Sequence, residues 1–162
     1  MPGAAFLTRN MVEGILEVAR ETIEPPLASD EFDRAEEHRA GVYVVVLGER
    51  DYLLGETTFG KLEEGHVKYD GIAHQEAIMS LRERMDTREI VEAAPHRLKD
   101  GDVALPGGVY FGSFAVGTSG HFQDVNERIS RQIGVRIVFV CRARLEAHQS
   151  SVDRVIRKCD GG

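Results

Sequence analysis

The chain holds 162 residues, with 20 Lys+Arg against 27 Asp+Glu for a net charge of −7, and 42% hydrophobic residues. That length fits a single core, and the composition excludes disordered, collagenous and low-complexity classes. The acidic balance argues against general affinity for phosphate backbones, which rests on clustered Lys and Arg, so no nucleic-acid partner is expected.

The longest nearly apolar run, Val135 to Cys141, contains Arg136 and falls far short of the roughly 20 residues a membrane-crossing helix needs. Arg9, Glu13, Glu17 and Arg20 interrupt any signal-peptide core. Cys141 and Cys159 make neither a disulfide framework nor a metal knuckle and read as reduced thiols. A cytoplasmic protein without a membrane partner is the expectation.

Thr8 to Ile23 predicts the first helix, capped by Thr8, with Met11, Ile15, Val18 and Ala19 at helical spacing. Pro25-Pro26 should end it, because proline lacks the amide donor. Ser29 to Arg39 carries so many charges that a solvated loop or one short exposed helix is expected. Val42 to Leu47 is a continuous β-branched and aromatic run, the pattern of a strand covered on both faces. Gly48 to Asp51 then turns the chain, and Tyr52 to Thr58 returns as the antiparallel partner.

Asp70 to Met85 predicts a helix whose seam is His74, Ile78, Leu81 and Met85. Thr87 can cap a shorter helix, Arg88 to Ala94, that stops before Pro95. Leu105-Pro106-Gly107-Gly108 is a tight connection into Val109 to Ser119, read as one or two strands turning at Gly112-Ser113. Gln123-Asp124 opens a helix with Val125, Ile129 and Ile133 in register. Val135 to Cys141 fits both periods; a strand is expected there, followed by a final helix from Arg144 to Arg157. With no repeat or linker, residues 1–162 read as a single α+β domain built on an antiparallel sheet flanked by helices.

Gly117, Thr118, Ser119 and Gly120 precede a helix, so free main-chain amides there suit a carboxylate or phosphate. The plain structural reading is a strand-to-helix turn in which Ser119 caps the helix. His74-Gln75-Glu76 matches the His-x-Glu of zinc nucleobase deaminases, but the Pro-Cys-x-x-Cys that completes that site is missing. There is no His-Glu-x-x-His, Walker loop, dinucleotide fingerprint or nucleophile elbow. Cys141 lies in an apolar run that makes it a poor nucleophile. No residue set supports an enzyme.

One ordered constellation is more specific. Thr87-Arg88-Glu89, Pro106-Gly107-Gly108, Gly117-Thr118-Ser119-Gly120 and Gln123-Asp124 follow one another along the chain. In this order they resemble the GlcG/HbpS-like haem-binding family, also found as the C-terminal domain of some corrinoid adenosyltransferases. The resemblance covers residues 8–133 and leaves 134–162 as a C-terminal extension, expected as strand plus helix. It implies a profilin-like architecture, a haem or corrinoid cofactor, and a homo-oligomer. Two departures stand out. Only Val109 to Ala115 lies where the family places a further hairpin, and the segment after Ile133 runs past where the family is expected to stop; a strand there would replace the missing edge.

A small-molecule binding protein for haem or a related tetrapyrrole, acting in sensing or delivery, is therefore the leading expectation. Arg88, Thr118, Ser119, Gly120 and His121 are its candidate ligand-binding residues. His74, on its helical stripe, and His121, beside Phe122, are the candidate iron ligands, since haem iron needs at least one axial donor. Met85 cannot serve opposite His74, because eleven residues of one helix separate them by roughly 16 Å. His66 and His96 flank the helical pair. Two rivals remain: an enzyme acting on a small carboxylate metabolite at Gly117 to His121, and a structural or assembly module without ligand.

Overall fold

Val42, Val44 and Val46 point to one side of a strand while Val45 and Leu47 point to the other, and all five are buried. Cover on both faces requires a central strand with helices on either side. The computed structural model, which describes residues 6–29, 39–62 and 68–161, has this arrangement. The charged segment at 30–38, with His38, and the segment at 63–67, with His66, lie outside the described residues.

The order along the chain is α1 (Arg9–Ala28), β1 (Ala40–Gly48), β2 (Leu53–Lys61), α2 (Tyr69–Glu83), α3 (Thr87–Ala93), β3 (Val109–Tyr110), β4 (Phe114–Ser119) and α4 (Gln123–Asp160). The antiparallel sheet runs β2-β1-β4-β3. The expected hairpin is β1 and β2, joined by a 3-10 turn at Glu49–Asp51, with a register shift between Val46 and Leu47. The expected turn at Gly112-Ser113 separates β3 from β4. One sheet face packs against α1 and α4, through Val42, Val44, Val46, Phe59, Phe114 and Val116. The other packs against α2, through Val45, Leu47 and Ala115.

Four sequence expectations are corrected. First, α1 does not stop at Pro25-Pro26 but continues to Ala28. The prolines remove two amide donors, whose acceptors would be the carbonyls of Glu21 and Thr22 on the exposed side, where water can replace them. Ile23 and Leu27, each 3% exposed, hold the last turn in the core. Arg20 also ties α1 to β2, donating to the Thr58 carbonyl at 3.0 Å and to Thr57 Oγ1 at 2.9 Å.

Second, the stripe His74, Ile78, Leu81, Met85 is only partly buried. The fully buried face of α2 includes Ala73, Glu76, Ala77 and Ser80, also at helical spacing but small or polar, while Ile78 and Leu81 of the expected stripe pack at the margin of the sheet contact. Third, Thr87 is no cap. It is the first residue of α3, with Asp86 at the N-cap, and its buried Oγ1 accepts from the amides of Gly107 (3.0 Å) and Gly108 (2.9 Å). Fourth, Val135 to Cys141 is not a strand: α4 runs unbroken from Gln123 to Asp160. Ile133 and Ile137 are both fully buried, so the helical period wins where the composition was ambivalent.

The close seating of α2 on β4 depends on Gly117, where an added Cβ would lie 2.0 Å from the Ala73 carbonyl oxygen. No rotamer change relieves a backbone clash. Gly117→Ala is therefore expected to cost at least about 2 kcal/mol, read as a lower urea midpoint at unchanged slope.

Candidate functional site

The turn from Gly117 to His121 is not the open anion site that its glycines suggest. Residues 117–119 belong to β4 and pair with Val45, Val44 and Tyr43 of β1. Ser119 is buried in the strand and does not cap the helix; Phe122 is the N-cap residue. The His121 amide donates to Asn126 Oδ1 at 3.0 Å, and Asn126 Nδ2 returns a bond to the His121 carbonyl. The Phe122 amide donates to His121 Nδ1 at 2.9 Å. The amides of His121 and Phe122 are thus taken by the protein's own acceptors, as that of Thr118 is by Glu76. Gly120 has φ +119, and an added Cβ would meet Leu62 and the Gly41 carbonyl.

The other sequence candidates are also engaged. Thr118 is fully buried, with its hydroxyl 2.7 Å from Ser130 Oγ. Arg88 pairs with Glu127 at 2.9 Å and Glu92 at 3.1 Å. His121 is buried and uses Nδ1 on the Phe122 amide. His74 is half-exposed on the α2 side of the sheet, with Nδ1 2.9 Å from the Asp70 carbonyl oxygen and Nε2 3.7 Å from Glu56. His96 is exposed in the 3-10 turn Pro95–Arg97. Among the described residues, no group of three or more His, Cys, Asp and Glu is placed to hold a metal ion.

What the motif residues build is a buried polar knot. Glu76, 1% exposed, lies against Gly107, where an added Cβ would come within 2.5 Å of both carboxyl oxygens. It accepts a hydrogen bond from the Thr118 amide, while its Oε2 and the nearby Ser80 Oγ have no partner. Ser130 Oγ donates to the Gly107 carbonyl at 2.6 Å, and Thr87 holds the same turn from the other side. Desolvation by burial dominates at Glu76 and pushes its carboxyl up to about 9, against the opposing pull of the Thr118 amide. Glu76 is neutral in the folded protein at physiological pH. Sequence reading passed it over because a lone Glu in a helix gives no pattern.

An apolar hollow lies elsewhere, on the outer side of the helical layer. A groove of about 700 Å³ runs between α1 and α4. Its walls are apolar, from Met11, Ile15 and Val18 on one helix and Val135, Phe139 and Val140 on the other. Val18 is 64% and Phe139 73% exposed, an unusual concentration of open apolar surface. Arg136 and Arg144 of α4 also line it, eight residues apart and hence about 12 Å along the helix axis. Arg136 donates to Thr22 Oγ1 at 3.0 Å. Behind Met11 lies the Cys141 thiol, which donates to its sulfur at 3.9 Å; burial raises the thiol above its ordinary pKa. Reading Val135 to Cys141 as a strand hid this site. On a helix Val135, Arg136, Phe139 and Val140 share one face, whereas a strand would turn Arg136 and Val140 to the other side.

No family model matches the chain, and no curated protein matches it. Solved structures do. PduOC, in a structure described as a complex with haem, aligns with a TM-score of 0.51 at 16% identity, over 76% of this chain and 89% of that one. Protein ORFY of Klebsiella pneumoniae, assigned to family model DUF336, aligns at 0.50 with 16% identity, over 75% and 86%. HbpS aligns at 0.48 with 18% identity, over 74% and 86%. The chain has the GlcG/HbpS-like fold. Within it, the α+β architecture is the expected one. The motif residues that carried the resemblance serve this GlcG/HbpS-like scaffold, since Thr87, Gly107, Gly108, Gly117 and Thr118 all sit in or against the knot.

The Glu76 carboxyl makes stability depend on pH. Its folded pKa near 9 lies above the ordinary carboxylate value, so the stability it contributes is full below pH 4.5. That contribution is lost progressively as pH rises toward 9, because the unfolded chain gains by ionising and the folded chain does not. The melting temperature should fall between pH 5 and pH 9, and Glu76→Gln should remove a measurable part of that slope.

Proposed function

We propose that the protein binds a flat, largely apolar carboxylate in the groove between α1 and α4, for sensing or delivery rather than turnover. A tetrapyrrole, haem or a corrinoid, is the representative ligand. The groove carries this reading: two apolar walls of the size that hosts small ligands, with two guanidinium groups along one of them. Arginine is the residue best suited to pair with a carboxylate beside an apolar surface. That PduOC is described in complex with haem supports the choice of ligand class to try first.

The donor set fits the ring and the carboxylates of such a molecule better than it fits an iron. No histidine is among the residues lining the groove, and Met11 is the one sulfur donor there. Arg136 and Arg144 would hold the carboxylates, and Ile15, Val18, Val135 and Phe139 would cover the faces of the ring. Burial of apolar surface and charge pairing then supply the affinity, and a bond to the metal is secondary. An enzyme at Gly117 to His121 gains little support, because the amide, carbonyl and Nδ1 of His121 are already bonded within the protein.

Titration with hemin and with metal-free protoporphyrin, each followed by its absorbance, separates ring recognition from metal ligation. Both should bind with dissociation constants within about threefold of each other, and Arg136→Glu with Arg144→Glu should weaken both by at least about tenfold. No binding of either, or binding of hemin alone that ignores the two arginines, would overturn this assignment.

A further inference from the structure

The far half of α4 stands apart from the rest of the fold. From Arg142 to Asp160 it extends about 28 Å, and every residue in it is at least partly exposed. Its recorded ring contact with the remainder of the chain is Phe6 against His148, with centroids 5.6 Å apart. Among the described residues this segment has little tertiary packing, which is where most helical stability in proteins comes from. Its side chains are nevertheless arranged for packing. Leu145, Val152 and Cys159 recur every seven residues, with His148 and Val155 between them, so one seam alternates in three- and four-residue steps. Val152, Val155 and Ile156 are 42%, 60% and 52% exposed.

We propose that this seam pairs with the same seam of a second copy of the chain. Charge selects that occupant. The positions flanking the seam beyond Arg144 are Gln149, Ser151 and Ile156, which are uncharged, with Lys158 only at the far end. Asp153, Arg154 and Arg157 lie on the opposite side of the helix, away from any contact. In a parallel pairing Arg144 meets the partner's Gln149 and Ser151 meets the partner's Ile156, so two identical basic helices approach without opposing like charges. A strongly acidic partner would instead be read by the arginines, which the seam turns away. The same patch meeting itself across a two-fold axis is the commonest form of self-association.

The strength of the contact is bounded by its size. Two helices in contact over about 28 Å bury less than the roughly 1,200 Å² of a standard stable interface. A contact of that size fits a reversible pairing rather than an obligate one. It gives the expected homo-oligomer a specific surface, independent of the groove reading, since Val152 and Val155 do not line the groove.

Sedimentation equilibrium of the full chain from about 1 to 200 µM tests this. Wild type should pass from one chain to two as concentration rises. Val152→Glu with Val155→Glu should weaken that step at least about tenfold, and Arg154→Ser on the far face should leave it unchanged. Because both valines are exposed, the variant's body should melt as wild type does when each is monomeric. A chain that stays monomeric throughout, or an oligomer that survives both substitutions, would overturn the pairing. So would a variant whose monomer melts lower at unchanged mass, since the seam would then be covered by its own chain. Porphyrin titration of the same variant should match wild type, so failure of the groove reading and failure of this one are distinguishable.

Discussion

Everything on the α2 side of the sheet follows from one contact without side chains, the backbone of β4 at Gly117 pressed against the carbonyl of Ala73. That approach lets α2 sink onto the strands through Ala73 and Ala77, so the next residue on the same face, Glu76, is carried below the surface. Once there, its carboxyl needs room, which Gly107 supplies by having no side chain. Thr87 and Ser130 then fix the Pro106-Gly107-Gly108 turn from two sides. A short-range steric fact thus sets the position of a helix, the ionisation of an acid and the path of a loop.

Much of this fold was legible in the chain because its signals were local. The run Val42 to Leu47 declared a doubly covered strand, and the glycine-rich turns placed β3 and β4. Val125, Ile129 and Ile133 fixed the start of α4. What escaped was decided at a distance. The α2 stripe holds only in part: Ile78 and Leu81 pack at the margin of the sheet contact, whereas a helix seated on glycine presents its alanines at the centre. The prolines of α1 were overruled by Leu27 finding the core one turn, four residues, beyond Ile23. The candidate site was less legible than the fold. Thr118, Ser119 and His121 carry the look of a binding loop, yet Thr118 is bonded to Glu76 and Ser130, and His121 to Asn126 and Phe122. The groove draws on residues from two helices far apart in sequence, one of them first read as a strand.

The division of labour between the two sides of the sheet bears on how the resemblance should be used. The motif residues are occupied with holding the scaffold, while the groove lies on the opposite helical layer and owes nothing to them. A chain can keep the motifs and the fold while changing the groove freely. The motifs therefore speak for architecture, and the proposed ligand site rests on groove residues such as Arg136, Arg144 and Phe139.

The two-residue β3 leaves β4 uncovered on one side from Gly117 onward, where the Thr118 amide faces away from β1. Such an exposed ladder is where an intruding polypeptide can append itself and seed aggregates. Here a helical side chain has taken that amide, and the knot around it seals the rim of the sheet against strand invasion. The shortened edge relative to the longer hairpin implied by the resemblance is thus guarded by an acid that never ionises in service.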